Sequence, residues 1–297
     1  MPLALGVAAL LAAGWPGAAQ ESEMNVMTVQ DLLALPQPAP DHRLPYGDHP
    51  LQFGELRLPG GAGPFPVAVL IHGGCWLAPY SLGHLSALAA ALAAEGVATW
   101  SLEYRRLGDT GGGYPGTFED VARGTDALRS LAAVHRLDLA RVVFVGHSAG
   151  GHLALWLAAR PNLPQDSPLW AAQPLRPRGV VALAGIPDLA QAAALGVCGD
   201  APERLLEGDG APRRRRLAEV SPADMLPLGV PVGLITAAHD GVVPAAVAAS
   251  FATKLAQLGD PVKTWEVAGV GHYELVNPAS PAWSVVRGAV REVLAGP

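Results

Sequence analysis

The pentapeptide Gly146-His147-Ser148-Ala149-Gly150 constrains this chain more than any other feature, because of its flanks. It follows the apolar run Val142-Val143-Phe144-Val145 and opens onto His152-Leu153-Ala154-Leu155-Trp156-Leu157-Ala158, which reads as a helix. Strand, tight turn and helix put a serine at the apex, with glycines two residues to either side. A serine so placed sits on a strained turn that pushes its hydroxyl out at the end of a sheet. Glycines are needed on both flanks because strand and helix approach too closely there for a side chain. Ser148 therefore reads as a nucleophile.

A serine hydroxyl needs a base, an orienting acid and donors for the developing oxyanion. Candidates for all three occur in the chain order Ser, Asp, His. Upstream, Pro66-Val67-Ala68-Val69-Leu70-Ile71 reads as a buried strand running into His72-Gly73-Gly74-Cys75-Trp76. Glycines there let backbone N–H groups approach an oxyanion, and the N–H of Ala149 would complete the set. Downstream, Val232-Gly233-Leu234-Ile235-Thr236 reads as a strand, and Asp240 lies just past its carboxyl end. His272 follows the strand-like Val262–Val267 on a glycine-flanked loop suited to an exposed imidazole. Asp188, also just after a strand, is the rival acid. His239 adjoins Asp240, whereas a base must face the serine across the cleft, which favours His272.

On these three motifs the chain resembles an α/β-hydrolase-fold serine hydrolase of the esterase/lipase-like branch that includes kynurenine formamidases and feruloyl-esterase-like enzymes. The resemblance runs from about Leu51 to the C-terminus. It implies Ser148 as nucleophile, His272 as general base and acid, and Asp240 as the orienting carboxylate. It implies Gly74, Cys75 and Ala149 as oxyanion-hole amides, and no metal or organic cofactor. Kynurenine formamidases usually carry an aromatic residue at the Cys75 position. Hydrolysis of small acyl or aryl esters through an acyl-enzyme is thus expected, with an arylformamidase-type amide hydrolase as the alternative. A non-catalytic ligand-binding protein on the same fold is the outside class.

The expected fold class is α/β, a doubly wound and mostly parallel sheet with a small lid insertion. Strands are expected at 51–58, 66–71, 97–102, 142–146, 179–184, 232–236 and 262–267. Helices are expected at 82–95, 118–135 with Thr117 as cap, 149–160, 245–258 and 282–295. Residues 186–229 form the expected lid, with short helical pieces at 188–195 and 202–207. Trp76, Tyr80 and Tyr114 fall on loops at the catalytic end and are candidate pocket residues. His72 is expected to hold the oxyanion loop, His152 to pack, and strand alternation turns His147 away from the nucleophile.

A chain of 297 residues, half of them hydrophobic, can bury the core of one domain of this kind. Only 15% of residues are charged and the net charge is -6, which gives no electrostatic case for nucleic acid. The run Arg213-Arg214-Arg215-Arg216 reads as a solvated loop or helix face. A small-molecule ester or amide is the expected partner, with no stable membrane insertion and the oligomeric state left open. Leu3–Ala13 is an apolar run of signal-peptide length, followed by small residues, and no Lys or Arg precedes Arg43. Residues 1–20 thus read as a signal directing export, or else the start lies at Met24 or Met27 and the protein is cytoplasmic; residues 21–50 are a leader. Cys75 and Cys198, the two cysteines, are either one disulfide or two separate thiols.

Overall fold

The computed structural model of the chain describes residues 26–207 and 210–296. The expected signal segment, 1–20, lies outside the described residues. The eight strands named here form one sheet in the order β1-β2-β4-β3-β5-β6-β7-β8. They are β1 (His42–Pro45), β2 (Phe53–Arg57), β3 (Phe65–Ile71), β4 (Ala98–Leu102), β5 (Leu137–His147), β6 (Gly179–Leu183), β7 (Val232–Ala237) and β8 (Val262–Val267). The β1–β2 and β2–β4 pairs are antiparallel and all others are parallel. This is the α/β-hydrolase fold, as the strand and helix alternation predicts.

Burial follows from the pairing. Val67 to Ile71, Val142 to Val145 and Val180 to Leu183 are buried throughout. Central strands of a parallel sheet are covered on both faces, so they read as continuous apolar runs. The helices α1 (Val29–Leu33), α2 (Ser86–Ala94), α3 (Gly116–Asp126), α4 (Leu128–His135) and α5 (Ala149–Ala159) precede the insertion. The helices α6 (Leu189–Ala194), α7 (Ala201–Leu205) and α8 (Arg213–Val220) lie within it, and α9 (Ala245–Gln257) and α10 (Trp283–Ala295) follow. All eleven residues of α5 are buried, which makes it the central helix of the molecule.

Three local expectations need correction. The single helix expected at 118–135 is two, α3 and α4, meeting at Ala127. A continuous helix would give the Gly124 carbonyl to the Leu128 amide, but Trp100 Nε1 donates to that carbonyl at 2.8 Å. Thr117 is not the cap of α3, since the helix begins at Gly116. Its hydroxyl instead donates to Arg105 O at 2.5 Å and accepts from Gly113 N at 3.0 Å, tying the 105–116 loop to the helix. Finally, the leader contributes β1, an edge strand whose residues are mostly exposed and so show no apolar alternation.

The carboxyl ends of β3, β5, β7 and β8 all open onto one side. In open α/β sheets ligands bind in the crevice outside those ends. The loops bearing Gly74, Ser148, Asp240 and His272 all start there, because each directly follows one of these strands.

Candidate active site

Ser148 is the residue between β5 and α5, with φ 56° and ψ -124°. Non-glycine residues are held in such a conformation only where the surroundings over-determine it. Those surroundings are backbone on both sides. A Cβ on Gly146 would lie 2.0 Å from Gly150 O, and one on Gly150 would lie 2.0 Å from Ile71 O. Neither neighbour can swing aside, so both glycines are obligatory. Ser148 N donates to Leu183 O at 2.8 Å, which anchors the apex to the adjacent strand.

The 72–80 loop after β3 is held against this turn. Gly74 has φ 102° and its Cα faces the Tyr80 ring, where a Cβ would come within 2.3 Å of Tyr80 Cβ. Cys75 and Trp76 also have positive φ, 52° and 56°. Among the described residues no protein acceptor takes the amides of Gly74 or Cys75. The Ala149 amide is the first of α5 and has no intrahelical acceptor. The helix macrodipole adds positive potential at the same point.

His72 supports the loop from beneath, as expected. It places Nδ1 2.8 Å from Gly73 O and Nε2 3.1 Å from Glu103 Oε1, and its ring stacks on Tyr104. Tyr104 OH donates to His72 O at 2.8 Å. Burial works to raise the Glu103 pKa, but His72, Arg106 and the Leu82 amide outweigh it and hold the carboxylate below its ordinary value. Arg106 reaches from Glu103, at 2.9 Å, to the carbonyl of Tyr80. One buried carboxylate thus fixes the beginning and the end of the 72–80 segment.

Asp240 and His272 meet across the next pair of loops. Asp240 Oδ1 accepts from Val242 N and Val243 N, both at 2.8 Å, and its Oδ2 lies 2.7 Å from His272 Nδ1. Both side chains are almost wholly buried, at 4% exposure for His272 and 2% for Asp240. Asp188 is occupied elsewhere: it caps α6 through Gln191 N and pairs with Lys254 Nζ at 2.8 Å. His239 is exposed and makes no side-chain hydrogen bond among the described residues.

Ser148 and His272 line one cavity of about 80 Å³, together with Gly74, Cys75, Leu77, Tyr80, His84, Val242, Tyr273 and Val29. Of the three aromatic residues read as pocket candidates, Tyr80 is in its wall and the other two are not. Trp76 is fully buried and donates from Nε1 to His152 Nδ1 at 3.1 Å. Tyr114 faces a separate cavity and donates to Glu219 Oε2 at 2.5 Å. Both belong to the packing of α5 against the insertion. Cys75 is disulfide-bonded to Cys198, so the 72–80 loop is covalently tied to the segment between α6 and α7.

No described residue of 186–229 lines the cavity; Val29 on α1 does. Glu274 holds that segment, accepting from Met27 N at 2.5 Å and from Gly271 N at 3.1 Å. A five-residue helix in a polar leader carries no signal of this role in the sequence. Val242 and Tyr273, by contrast, neighbour Asp240 and His272 and could have been found from them. In the arginine run, Arg213 and Arg215 make surface ion pairs with Glu203, Asp166 and Glu219, while Arg216 is buried over the Tyr114 ring. Among the described residues no group of His, Cys, Asp and Glu could hold a metal, and no helix is long and apolar enough to cross a membrane.

A family model described as BD-FAE matches residues 56–255. No curated protein is significantly similar in sequence. Among solved structures, a carbohydrate esterase from gut microbiota superposes with TM-score 0.72 at 19% identity, over 85% of this chain and 95% of that one. Esterase B from Lactobacillus rhamnosis gives 0.73 at 19% identity, over 88% of each chain. A thermophilic esterase from Thermogutta terrifontis, in a propionate-bound structure, gives 0.68 at 20% identity, over 86% and 93%. These likenesses concern the fold.

Two expectations follow from the site's construction. Burial, reinforced by neighbouring histidines, pushes His84 down to about 3 and His147 well below 6.5. Burial also takes His152 down to about 4, against the opposing hydrogen bond to Val220 O. Each is neutral in the folded protein, while in the unfolded chain each binds a proton below about pH 6.5. The unfolded state then holds more protons, so stability is complete above about 6.5 and falls as the pH drops towards 4. The slope approaches about 1.4 kcal/mol per pH unit for each such histidine. Urea melts across that range should show the decline; a flat profile would contradict the buried neutral assignment.

The disulfide joins residues 123 apart in sequence, so cutting it frees a long loop in the unfolded chain. Links of this kind are typically worth about 2–4 kcal/mol. The double variant Cys75→Ser, Cys198→Ser should lose that much in a denaturant melt. An unchanged midpoint would mean that the link carries no stability.

Proposed function

The chain belongs to the BD-FAE family, and on that premise we propose that it is a serine carboxylesterase acting on esters with short acyl groups. The observation that carries this reading is the shared cavity. Ser148 on its strained turn, His272 backed by Asp240, and the free amides of the oxyanion loop face one small space.

The mechanism follows from which nitrogen of His272 is engaged. Its Nδ1 proton is donated to Asp240 Oδ2, so the lone pair is on Nε2. Nε2 takes the Ser148 proton as Oγ bonds to the ester carbonyl carbon. The carbonyl π pair moves onto oxygen, where the amides of Gly74, Cys75 and Ala149 receive it. Collapse breaks the bond to the alcohol oxygen, which leaves with the proton from Nε2. Water then repeats the sequence on the acyl-enzyme, releasing the acid and restoring Ser148. Asp240 stays ionised throughout and holds the imidazole in this tautomer.

Cavity size supports a short acyl chain. At about 80 Å³ the space is well below the ~300–1,000 Å³ of pockets that take drug-sized ligands, which suits a small acyl group. Esters are favoured over aryl formamides because position 75 offers no stacking face. Its side chain is small and spent on the bond to Cys198. The disulfide also supports an oxidising compartment, in keeping with export.

A fluorophosphonate probe should label the folded protein at Ser148, and Ser148→Ala should abolish labelling and cost on the order of 10⁶ in kcat. Asp240→Asn should keep the fold and lose about 10⁴, since the amide stabilises the wrong tautomer. No adduct by intact-mass spectrometry would move the protein to the ligand-binding class.

A second measurement concerns the substrate. Across 4-nitrophenyl esters of graded length, kcat/KM should peak at short chains and exceed that for N-formylkynurenine. A peak at long chains, or a formamide value at or above the best ester, would overturn the short-acyl ester assignment.

A further inference from the structure

The leader contributes one described residue, Val29, to the wall of the cavity that Ser148 and His272 share. Every other described lining residue lies between β3 and β4 or just after β5, β7 or β8, on the segments that bear the candidate site. Val29 belongs to α1, which supplies no reacting group. It bears on the size of the space and on nothing else in the mechanism.

Five residues are too few for a helix that is stable by itself, so α1 depends on its anchors. Thr28 and Asp31 close a capping box. Thr28 Oγ1 accepts from Asp31 N at 3.2 Å, and Asp31 Oδ2 accepts from Thr28 N at 2.9 Å. Val29 and Leu32 are three residues apart and share one face of the helix. Leu32 is 3% exposed, whereas Gln30, Asp31 and Leu33 are exposed. The face bearing Val29 and Leu32 is therefore the inward one, and it turns the half-buried Val29 towards the cavity.

Two contacts fix the leader against the His272 loop. A Cβ on Gly271 would lie 2.9 Å from Val26 Cβ, so the absent side chain at 271 leaves the room in which the leader sits. Glu274 Oε1 accepts from Met27 N at 2.5 Å, while its Oε2 accepts from Gly271 N at 3.1 Å. α1 also packs on the turns Leu82–Leu85 and Tyr273–Val276, which carry the lining residues His84 and Tyr273. In this arrangement Ser148 is 2% exposed and His272 4%.

We propose that Val29 is a specificity-determining residue whose side chain limits the length of the alkyl group an ester can lodge beside Ser148. The proposal rests on the esterase reading and deepens it, because it assigns the short-chain limit to one side chain on the leader. The limit is steric. With the leader anchored at Val26, Met27 and Leu32, a longer chain meets the Val29 isopropyl group and has to displace the helix. The alkyl group can lie on either side of the ester bond, as acyl chain or as alcohol, and the contact is the same for both.

The test measures kcat/KM on two series for the wild type, Val29→Ala, Val29→Ile and Gln30→Ala. One series is the ethyl esters of acetic, butyric, hexanoic and octanoic acids; the other is the acetates of ethanol, butanol and hexanol. A methylene in an apolar pocket changes discrimination by about tenfold or more. In Val29→Ala the ratio of a hexyl-length ester to its shortest homologue should therefore rise about tenfold or more over the wild type in at least one series. The series that responds identifies the side of the ester that lies against α1. Val29→Ile adds one carbon and should lower the same ratio. Gln30 is exposed on the same helix and does not line the cavity, so Gln30→Ala should keep the wild-type profile.

A role confined to supporting the fold predicts that Val29→Ala slows all esters alike and leaves the ratios unmoved, and that result would overturn the proposal. Equal broadening in Gln30→Ala would also overturn it, because loosening of the helix, and not the Val29 side chain, would then set the limit. Should Val29→Ala fail to fold, Val29→Ile decides the question alone: a lowered ratio supports the assignment and an unchanged one sinks it. Normal hydrolysis with an unmoved chain-length profile removes the Val29 assignment and leaves the esterase reading standing. Absence of hydrolysis together with absence of Ser148 labelling in the wild type sinks the esterase reading beneath it.

Discussion

The contact on which the rest of the candidate active site depends is the one between the Ser148 turn and the end of β3. With the Gly150 Cα pressed against Ile71 O, the first turn of α5 sits directly beside the strand that delivers the oxyanion loop. That closeness brings a helix N-terminus, a strained serine and the amides of Gly74 and Cys75 to one place. It also explains why α5 is buried along its whole length: a helix starting at the centre of a parallel sheet must run back across it. The positive φ of Ser148 costs energy, and the packing of a large apolar core supplies it.

Beneath this turn the polar groups are arranged to be neutral or paired. Glu103 is a carboxylate buried under the 72–80 loop, and it is matched by His72, Arg106 and two main-chain amides. The histidines behind Ser148 solve the same problem differently. His84, His147 and His152 give up their charge, because burial makes the imidazolium too expensive, and then share hydrogen bonds as neutral rings. His147 thereby holds the backbone of His272, while Asp240 holds its ring. The imidazole at the cavity is oriented from two directions by groups that meet no solvent.

Covering elements come from distant parts of the chain. α1 supplies Val29 to the cavity wall and is pinned to the His272 loop through Glu274. The insertion between β6 and β7 packs on α5, through His152 to Val220 O and Trp156 to Glu219 O, and reaches the 72–80 loop by the Cys75–Cys198 link. A narrow cavity results from the first element, and a fixed loop from the second.

The sequence alone determined the fold class and the strands of the central sheet, and it singled out Ser148, Asp240 and His272. Each of these is written in local pattern: apolar runs of strand length, glycines at obligatory close approaches, and polar residues just past strand ends. Tertiary structure decided what no local pattern encodes. Whether Asp240 or Asp188 serves His272 depends on which loops face each other, and Asp188 is consumed by a helix cap and Lys254. Trp76 and Tyr114 sit on loops of the right end but turn into packing, because their partners, His152 and Glu219, arrive from elsewhere in the chain. The pairing of Cys75 with Cys198, the cover by Val29 and the place of His84 beside Ser148 all join residues far apart in sequence. Side chains meet by the packing of whole elements, and that packing is settled only when the sheet, the helices and the buried charges are satisfied together.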